Sequence, residues 1–366
     1  MRRAAFLSHP VFQRPGFGRH HPLSSRSHAA VIDLACAVGA LEREAIVRCP
    51  LADVPELLRF HDEGYVRTLA EAAAARSISP EQRLATGLGS MECPLFEGLW
   101  DRARATVGGS ILAARIALEG AIAFHPAGGT HHGRPGRAAG FCYLNDPVFA
   151  LLTLLDAGLQ RVLYVDLDAH HGDGVEDAFA GDPRVLTISV HEAGRWPGTG
   201  ALTDRREGRA RNLPVPPRLN DTEFGRLVDG AVLPLAQRFA PQAVVITCGC
   251  DSLAGDPLST MALSNTALWD AVMGLVSLSP RAVVLGGGGY NPWTAARAWA
   301  GLWCRLSGVA IPEHLPAEAV TALAALDCDL IDTEDRQPAW LTHLADEPNA
   351  GPVRPEIDAI VQAVIS

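Results

Sequence analysis

Short apolar segments alternate with helix-length segments through most of the chain. The apolar segments are four to six residues long, are rich in β-branched residues and end in polar or glycine clusters. They comprise residues 121–125, 162–166, 185–190, 243–247 and 282–285. The helix-length segments between them include residues 147–157, 221–239 and 264–277. Continuous apolar strands that alternate with helices predict an α/β fold with a central parallel β-sheet flanked by helices on both faces.

The same pattern predicts a single domain over residues 1–366. No internal repeat, low-complexity tract or convincing linker interrupts the chain before residue 308. We therefore expect a core over roughly residues 6–308. A C-terminal extension, residues 309–366, follows this core and is punctuated by prolines. Its residues 357–365 predict a final helix.

Two adjacent histidines follow the first of these strands. In open parallel sheets, ligands bind beyond the carboxyl ends of the strands, so the loops at those ends are candidates for a site. Residues 121–125 run into a glycine-rich loop that contains His131 and His132. Because histidine titrates near neutral pH, the pair is a candidate general acid and base. A solvated loop that happens to hold two histidines is the alternative.

Acidic and imidazole side chains follow the next strands. In an extended segment Asp166, Asp168 and His170 point to one side, and carboxylate and imidazole groups suit a divalent ion such as zinc. Asp251, after residues 243–247, offers a third ligand and leaves a coordination position for water or substrate. The alternatives are a structural ion-pair network and, for Asp251 alone, a helix N-cap.

The last predicted strand runs into four consecutive glycines and Tyr290. Glycines allow close approach of the backbone to other groups and dihedral angles that are closed to other residues. The phenol that follows is a candidate hydrogen-bond donor to a developing oxyanion. A dinucleotide-binding loop is disfavoured, because the G-x-G-x-x-G order is absent.

Composition narrows the class of protein. All 31 basic residues are arginines, and the chain contains no lysine. The absence of lysine excludes Schiff-base chemistry with a pyridoxal cofactor and a Walker A phosphate loop. The formal net charge of −10 disfavours direct nucleic-acid binding and suits cationic or basic substrates.

The chain lacks the signals of secretion and membrane insertion. The apolar run at residues 4–7 is too short for a signal-peptide core, and no segment approaches the ~20 apolar residues of a membrane span. The eight cysteines show no CxxC spacing, which predicts reduced, buried thiols. We expect a cytoplasmic protein that does not associate with membranes.

The chain resembles the histone deacetylase superfamily, and within it the class I-like branch that includes bacterial acetoin-utilisation proteins. The matching strings are GGTHHG (128–133), GFCYLND (140–146), YVDLDAHHGDGVEDAF (164–179), PGTG (197–200), CDSLAGDPL (250–258) and LGGGGYN (285–291). Their order and content are highly specific. The resemblance covers essentially the whole chain, from near residue 6 to the C-terminal helix.

The resemblance implies an arginase/deacetylase α/β fold with one catalytic zinc ion. The zinc ligands that it implies are Asp168, His170 and Asp251. It also implies a catalytic imidazole pair, His131 and His132, in which His132 is the general base and general acid. An amidohydrolase of this kind removes acetyl or short acyl groups from N-acetyl-lysine or a similar acylated amine.

Further roles follow from the same resemblance. Asp166 and Asp173 would orient the two catalytic imidazoles, and Tyr290 would hydrogen-bond the substrate carbonyl. The family also holds a structural monovalent cation, usually potassium. The residues around that cation would be Asp166, Asp168, His170, Ser189 and Val190.

A narrow substrate channel is the last feature that the resemblance implies. Phe141 and Trp196 would form its walls, Gly140 would line it, and Trp196 is bulkier than the usual phenylalanine. Glu92 stands at the rim where relatives usually carry aspartate, and it can accept hydrogen bonds from a substrate backbone or pair with a cationic group. Leu258 stands where polyamine-selective relatives carry an acidic residue.

Three alternatives share parts of this pattern. A deacetylase of small acetylated amines or polyamines differs from a protein deacetylase only at the rim. A binuclear manganese ureohydrolase shares the fold but needs an aspartate where Leu253 stands. A catalytically silent binding protein is expected to have lost one of the site groups, and none is lost. The sequence leaves the oligomeric state and the physiological substrate open.

Overall fold

One parallel sheet runs through the protein. The computed structural model describes residues 2–18, 20–23 and 27–365. The strands in this part of the chain are β1 (Ala4–Ser8), β2 (Val47–Arg48), β3 (Ile122–His125), β4 (Val162–Asp166), β5 (Val185–Glu192), β6 (Ala210–Val215), β7 (Ala243–Thr247) and β8 (Ala282–Leu285). Their order across the sheet is β2-β1-β3-β8-β7-β4-β5-β6, and every neighbouring pair is parallel. The predicted parallel sheet is confirmed.

The five strands predicted from the apolar pattern are β3, β4, β5, β7 and β8, and β5 continues two residues beyond the prediction. The pattern did not predict the other three strands, β1, β2 and β6, which lie at or next to the edges. Strand β6 contains Arg211 and Pro214, and such residues are tolerated at an edge because only one side of the strand is paired.

Helices cover both faces of the sheet. In the described residues they are α1 (Ser27–Ala37), α2 (Val54–Leu57), α3 (Glu63–Ala75), α4 (Pro80–Thr86), α5 (Leu99–Leu118), α6 (Asp146–Asp156), α7 (Asp173–Phe179), α8 (Asp221–Leu227), α9 (Leu233–Phe239), α10 (Asn265–Ser277), α11 (Pro292–Ser307), α12 (Ala317–Ala324), α13 (Ala339–Thr342) and α14 (Pro355–Ile365). Side chains alternate across each strand, so Leu163 and Val165 of β4 pack with α1 and α8–α11. Val162 and Tyr164 pack on the opposite face with α5–α7.

The segment predicted as one helix, residues 221–239, is interrupted. Helices α8 and α9 are joined by a π-helical turn, Val228–Val232, in which the amide of Leu233 bonds to the carbonyl of Val228. Pro234 follows and has no N–H to continue the regular helical ladder. The wider turn therefore accommodates a position where the α-helical bond cannot form.

The C-terminal extension packs against the core. The predicted final helix is confirmed as α14, which begins two residues earlier than predicted. Leu323, Trp340 and Ile357 are buried in the same apolar cluster as β4 and α11. The bidentate pair between Arg354 and the fully buried Glu223 of α8 also joins the extension to the core.

Two further predictions concern cysteines and membranes. All eight cysteines are unpaired, and six of them are buried, as predicted. Across the part of the chain that the structure describes, every helix is too short or too polar to cross a membrane.

Candidate active site

The strand order brings the candidate residues to one edge of the sheet. Strands β3, β8, β7 and β4 are neighbours, so their carboxyl ends lie side by side. The loop after β3 carries the two adjacent histidines, and β4 runs directly into Asp166 and Asp168. Asp251 follows β7, and Tyr290 follows β8. Four loops that are distant in sequence therefore meet at one place.

Three candidate metal ligands lie close together where these loops meet. The Nδ1 atom of His170 is 2.9 Å from Oδ2 of Asp251 and 3.2 Å from Oδ1 of Asp168. One donor atom from each residue lies within 4.8 Å of the other two, and all three side chains are buried. Two carboxylates and one imidazole are a donor set that a divalent ion such as zinc accepts.

Glycines make room for these carboxylates. A Cβ atom on Gly249 would lie 2.1 Å from Oδ2 of Asp168, and a Cβ atom on Gly288 would lie 2.2 Å from Oδ2 of Asp251. The amide of Gly288 also donates to Oδ2 of Asp168 over 2.7 Å. The glycine run after β8 is thus required by close contact with the acidic pair.

The charges of this trio are not balanced. Burial lowers the pKa of His170, but the two adjacent carboxylates outweigh burial and raise it to about 10. Burial and the charge of Asp168 raise the pKa of Asp251 to about 6. Two buried carboxylates thus share one imidazolium proton. A divalent ion fits this site because it would replace that proton and neutralise the remaining negative charge.

The two adjacent histidines each bind an aspartate. Nδ1 of His131 is 2.7 Å from Oδ2 of Asp166, and Nδ1 of His132 is 2.8 Å from Oδ1 of Asp173. Bonding at Nδ1 leaves Nε2 of each ring available, and Nε2 of His131 lies 3.8 Å from Oδ1 of Asp168. All these side chains are buried or nearly so.

The two rings differ in protonation although their hydrogen bonds to aspartate are alike. Burial lowers the pKa of His131, but Asp166 and Asp168 outweigh burial and raise it to about 9. Burial and the charge of His131 lower the pKa of His132 to about 3. The hydrogen bond and charge of Asp173, which also binds Arg134 over 2.6 Å, act in the opposite direction but do not outweigh these two effects. His132 is therefore the neutral ring, which can accept a proton.

Tyr290 closes the site from the side of β8. Its ring centroid is 5.5 Å from that of Phe141 and 6.5 Å from that of His170. Burial and the nearby charges of Asp251 and Asp168 raise the pKa of the phenol well above its usual value. The phenol keeps its proton and is able to donate a hydrogen bond.

Asp256 positions Tyr290 and was not among the predicted site residues. Its Oδ2 accepts the amide of Tyr290 over 2.7 Å, and its Oδ1 accepts the amide of Leu258 over 2.9 Å. Burial and the charge of Asp251 raise the pKa of Asp256 to about 7. The signal in the sequence was its place in the string CDSLAGDPL, where an acid between glycine and proline is suited to bind backbone amides.

A cavity of about 510 Å³ leads from the surface to this site. The predicted channel residues that line it are Glu92, Gly140, Phe141, Trp196 and Leu258, with His132, His170 and Tyr290 deeper in. The Trp196 ring centroid is 4.6 Å from that of His132. A Cβ atom on Gly140 would lie 2.5 Å from the Trp196 ring, so a larger residue at that position would close the channel.

Glu92 is partly engaged by the channel wall. Its Oε2 accepts the amide of Gly140 over 3.2 Å, and Nε2 of His21 is 3.3 Å from its backbone oxygen. Met91 beside it is 94% exposed. The rim acid is therefore attached to the channel wall at Gly140, and its expected role toward substrate stays a prediction.

Ser189 and Val190 lie on β5, next to the candidate ligands. Ser189 pairs with Asp166 in the β4–β5 register, and its hydroxyl is 2.9 Å from Nδ1 of His191. Val190 is fully buried. The expected monovalent cation would share Asp168 and His170 with the candidate metal site, and it stays a prediction.

The fold and the site together define a hydrolase class in which a buried Asp–His–Asp group lies beside two His–Asp pairs at the end of a narrow channel. Residues 21–306 match the family described as the histone deacetylase domain. The chain therefore belongs to the histone deacetylase family, whose members are hydrolases that act on acetylated amides.

Individual relatives agree with this membership. The chain is 32% identical over 334 residues to the acetoin utilization protein AcuC of Bacillus subtilis. This match covers 87% of this chain and 86% of that protein. It is 37% identical over 313 residues to histone deacetylase 6 of Arabidopsis thaliana, where the match covers 81% of this chain but 65% of the longer plant protein.

A solved structure agrees over the full length. The crystal structure of a histone deacetylase homologue from Aquifex aeolicus superimposes with a TM-score of 0.95 at 31% sequence identity, and the match covers 100% of both chains. The predicted arginase/deacetylase fold is confirmed.

Proposed function

We propose that this protein is a zinc-dependent deacetylase that removes acetyl or short acyl groups from N-acetyl-lysine or a similar acylated amine. The observation that carries the proposal is the buried group of Asp168, His170 and Asp251 at the end of a narrow channel, with the neutral ring of His132 beside it. Family membership supports the hydrolysis of an acetylated amide.

Asp168, His170 and Asp251 would hold the zinc ion. When bound, it would supply Lewis acidity that polarises the amide carbonyl and acidifies a water molecule. The excess negative charge of the trio supports binding of a divalent cation. A potassium ion near Asp166 and Ser189 is a further proposal.

The chain's own residues supply the proton transfers. The neutral ring of His132, oriented by Asp173, would accept a proton from the attacking water. Tyr290 would donate a hydrogen bond to the oxyanion that forms from the carbonyl oxygen. A protonated imidazole would then donate to the leaving amine, which gives the free amine and a carboxylic acid. His131, held by Asp166, remains charged beside the acidic trio and helps to offset it.

The channel supports a linear acylated amine as substrate. Phe141, Trp196 and Leu258 give it apolar wall surface, and the Trp196 ring packs closely against Gly140. The methylene chain of acetyl-lysine matches such walls and places the amide at the site. An acetylated protein lysine and a small acetylated amine both meet these requirements, and the apolar Leu258 favours a partner without a charge at that point.

The ureohydrolase alternative has less support. Leu253 occupies the position where a second metal would need a carboxylate, and its side chain is fully buried in the apolar core. In the described part of the chain, three-donor metal-binding geometry occurs at one place. One metal ion is therefore proposed.

Two broader predictions complete the proposal. We propose that the chain works as one catalytic domain, because α12 and α14 complete the apolar cluster of the core. The eight unpaired cysteines favour a reducing compartment, and we propose the cytoplasm.

Acetate release from an N-acetyl-lysine peptide by zinc-reconstituted protein tests the proposal. Release that a chelator abolishes and added zinc restores is the expected result. An acetylated diamine assayed in parallel separates a protein-type substrate from a small amine. No release from folded, zinc-loaded protein with either substrate would contradict the proposed activity.

A further inference from the structure

A buried acid that lines the channel carries more hydrogen bonds than the proposed chemistry requires. Glu192 is the last residue of β5 and is 6% exposed, and Arg195 lines the same cavity. Its Oε2 accepts the amide of Thr260 over 2.8 Å, and its Oε1 accepts the Thr260 hydroxyl over 2.8 Å. Strand β5 is thereby attached to the loop that carries Leu258.

Arg195 completes this connection. It binds both oxygens of Glu192, through Nε over 2.7 Å and through Nη2 over 2.8 Å. Its remaining nitrogen, Nη1, donates to the carbonyl of Leu258 over 3.0 Å. One guanidinium therefore bonds at the same time to the end of β5 and to the backbone of a channel-wall residue.

The next residue in the chain is Trp196, which lines the same channel as Leu258. Its ring lies against His132 and leaves Gly140 no room for a side chain. Arg195 thus joins the backbones of Trp196 and Leu258, which come from loops far apart in sequence. Since the bidentate guanidinium fixes direction as well as distance, this contact constrains both wall residues.

We propose that Arg195, through Glu192, is a positioning residue that sets the width of the substrate channel. The proposal rests on the proposed deacetylase function for its kinetic consequence, although the structural consequence is independent of it. Loss of the guanidinium frees the Trp196 and Leu258 loops, and the channel then binds a thin acylated chain less well. His132, the proposed proton acceptor, and Tyr290, the proposed donor to the oxyanion, make no hydrogen bond to Arg195 in the described structure.

A second arginine on the same strand provides a matched control. Arg184 precedes β5 at its opposite end and binds both oxygens of Asp182, through Nε over 2.9 Å and Nη2 over 2.6 Å. This pair is also bidentate but lies at the amino end of the sheet, away from the channel. Loss of an arginine–carboxylate pair as such is therefore separable from loss of the wall contact.

The first test compares Arg195→Gln with Arg184→Gln in zinc-reconstituted protein acting on an N-acetyl-lysine peptide. We expect Arg195→Gln to raise KM about ten-fold with kcat changed by less than about three-fold, because substrate placement and not proton transfer is affected. Arg195→Lys, which keeps the charge but not the fork, should recover part of the change. Arg184→Gln should leave KM unchanged, and equal effects of the two glutamine variants would overturn the proposal.

Glu192→Gln breaks the same Arg195–Glu192 ion pair by changing the acid instead of the arginine. If both residues act through one contact, this variant raises KM as Arg195→Gln does, and the double variant adds little. Fully additive effects would contradict a shared positioning role.

Hydrogen exchange tests the structural part without any activity. The Thr260 amide and the amides of residues 193–200 should exchange at least about ten-fold faster in Arg195→Gln than in the parent protein or in Arg184→Gln. Unchanged exchange in both loops would overturn the proposal even in an active enzyme. If the parent protein releases no acetate but the exchange difference is found, the proposed activity fails and the positioning contact stands.

Discussion

Asp251 and Glu223 are both completely buried acids, yet their surroundings differ. Oε1 of Glu223 accepts the amide and Nε of Arg354, over 3.0 and 2.6 Å, and Oε2 accepts Nη2 of the same arginine. Its backbone amide and that of Asn220 complete a helix cap. Asp251 accepts the amide of Ala169 and shares one imidazole with a second carboxylate, Asp168, and among the described residues no arginine forms an ion pair with it.

This difference separates a stabilising acid from a functional one. A buried carboxylate with a matched guanidinium and satisfied oxygens joins two parts of the fold. A buried pair of carboxylates with one proton between them costs stability unless a cation joins them. The place where charge is left unbalanced is the place where a ligand is expected, so the comparison identifies the site without reference to any relative.

Asp251→Ala gives the largest expected effect. We expect the variant to lose its bound zinc, and with it activity by roughly three orders of magnitude or more, because one of three ligands is removed. Metal analysis and acetate release are the measurements. The melting temperature of the metal-free variant should not be lower than that of the metal-free parent protein, because one of the two adjacent carboxylates, Asp168 and Asp251, has been removed. A normal zinc content would exclude Asp251 as a ligand.

Tyr290→Phe should affect the reaction but not the metal. Loss of the phenol is expected to lower kcat by roughly two to three orders of magnitude, because the oxyanion loses a preorganised donor. Zinc content should equal that of the parent protein, which makes metal analysis the control. An unchanged kcat would show that the phenol does not contact the reacting carbonyl.

Glu223→Gln tests the stabilising side of the comparison. The substitution keeps the shape of the side chain but removes the charge that binds Arg354, and it should lower the free energy of unfolding by about 1.5–3 kcal/mol. Denaturant unfolding measures this change. Acetate release per folded molecule and zinc content should stay at the parent values, and a loss of either would mean that the C-terminal contact reaches the site.

The contribution of Glu223 should also depend on pH. Burial raises the pKa of this carboxyl, but the hydrogen bonds from Arg354 outweigh burial and place the pKa below its usual value of 4.5. An acid with a lowered folded-state pKa stabilises the fold above the unfolded value and loses that contribution as pH falls through the folded value. The stability difference between the parent protein and Glu223→Gln should therefore be constant from neutral pH down to about 5 and shrink below 4.5. A difference that grows on acidification would contradict this sign.

Glu92→Gln should have the smallest effect. Glu92 is an exposed acid whose Oε2 accepts one backbone amide, so it belongs to neither buried class. A neutral amide can still accept this bond, and we expect KM for an uncharged acetyl-lysine peptide to change by less than about three-fold. For a peptide with additional positive charge the rise in KM should be larger. Equal KM changes for the two peptides would exclude a role for the rim charge in binding.

Much of the fold follows from local patterns in the sequence. Strands β3, β4, β7 and β8 are continuous apolar runs because both faces are buried, and such runs need no knowledge of neighbours. Strands β1, β2 and β6, which lie at or next to the edges, lack this signal: β2 has only two residues, and β6 contains Arg211 and Pro214. The π-helical turn between α8 and α9 depends on how the segment packs, and only Pro234 indicated it.

The residues of the candidate site were also largely predictable from local patterns. Acids and imidazoles at the ends of apolar strands stand out because a charge there is costly, and parallel strands bring their ends together. The contacts that hold these groups in place were not predictable. The bonds of Asp256 to Tyr290 and of Glu192 to Thr260 join loops whose approach depends on the complete fold.

The strand order also has a consequence for the time at which the site can form during synthesis. His170 and Asp251 are 81 residues apart along the chain, and they meet only because β7 inserts between β4 and β8. A growing chain that has not yet released β7 from the ribosome holds two of the three ligands and cannot capture an ion as the finished protein does. Contacts at this separation close a long loop, and such contacts slow folding. Ion uptake should therefore report that β7 has paired with β4, and a bound ion would stabilise this pairing.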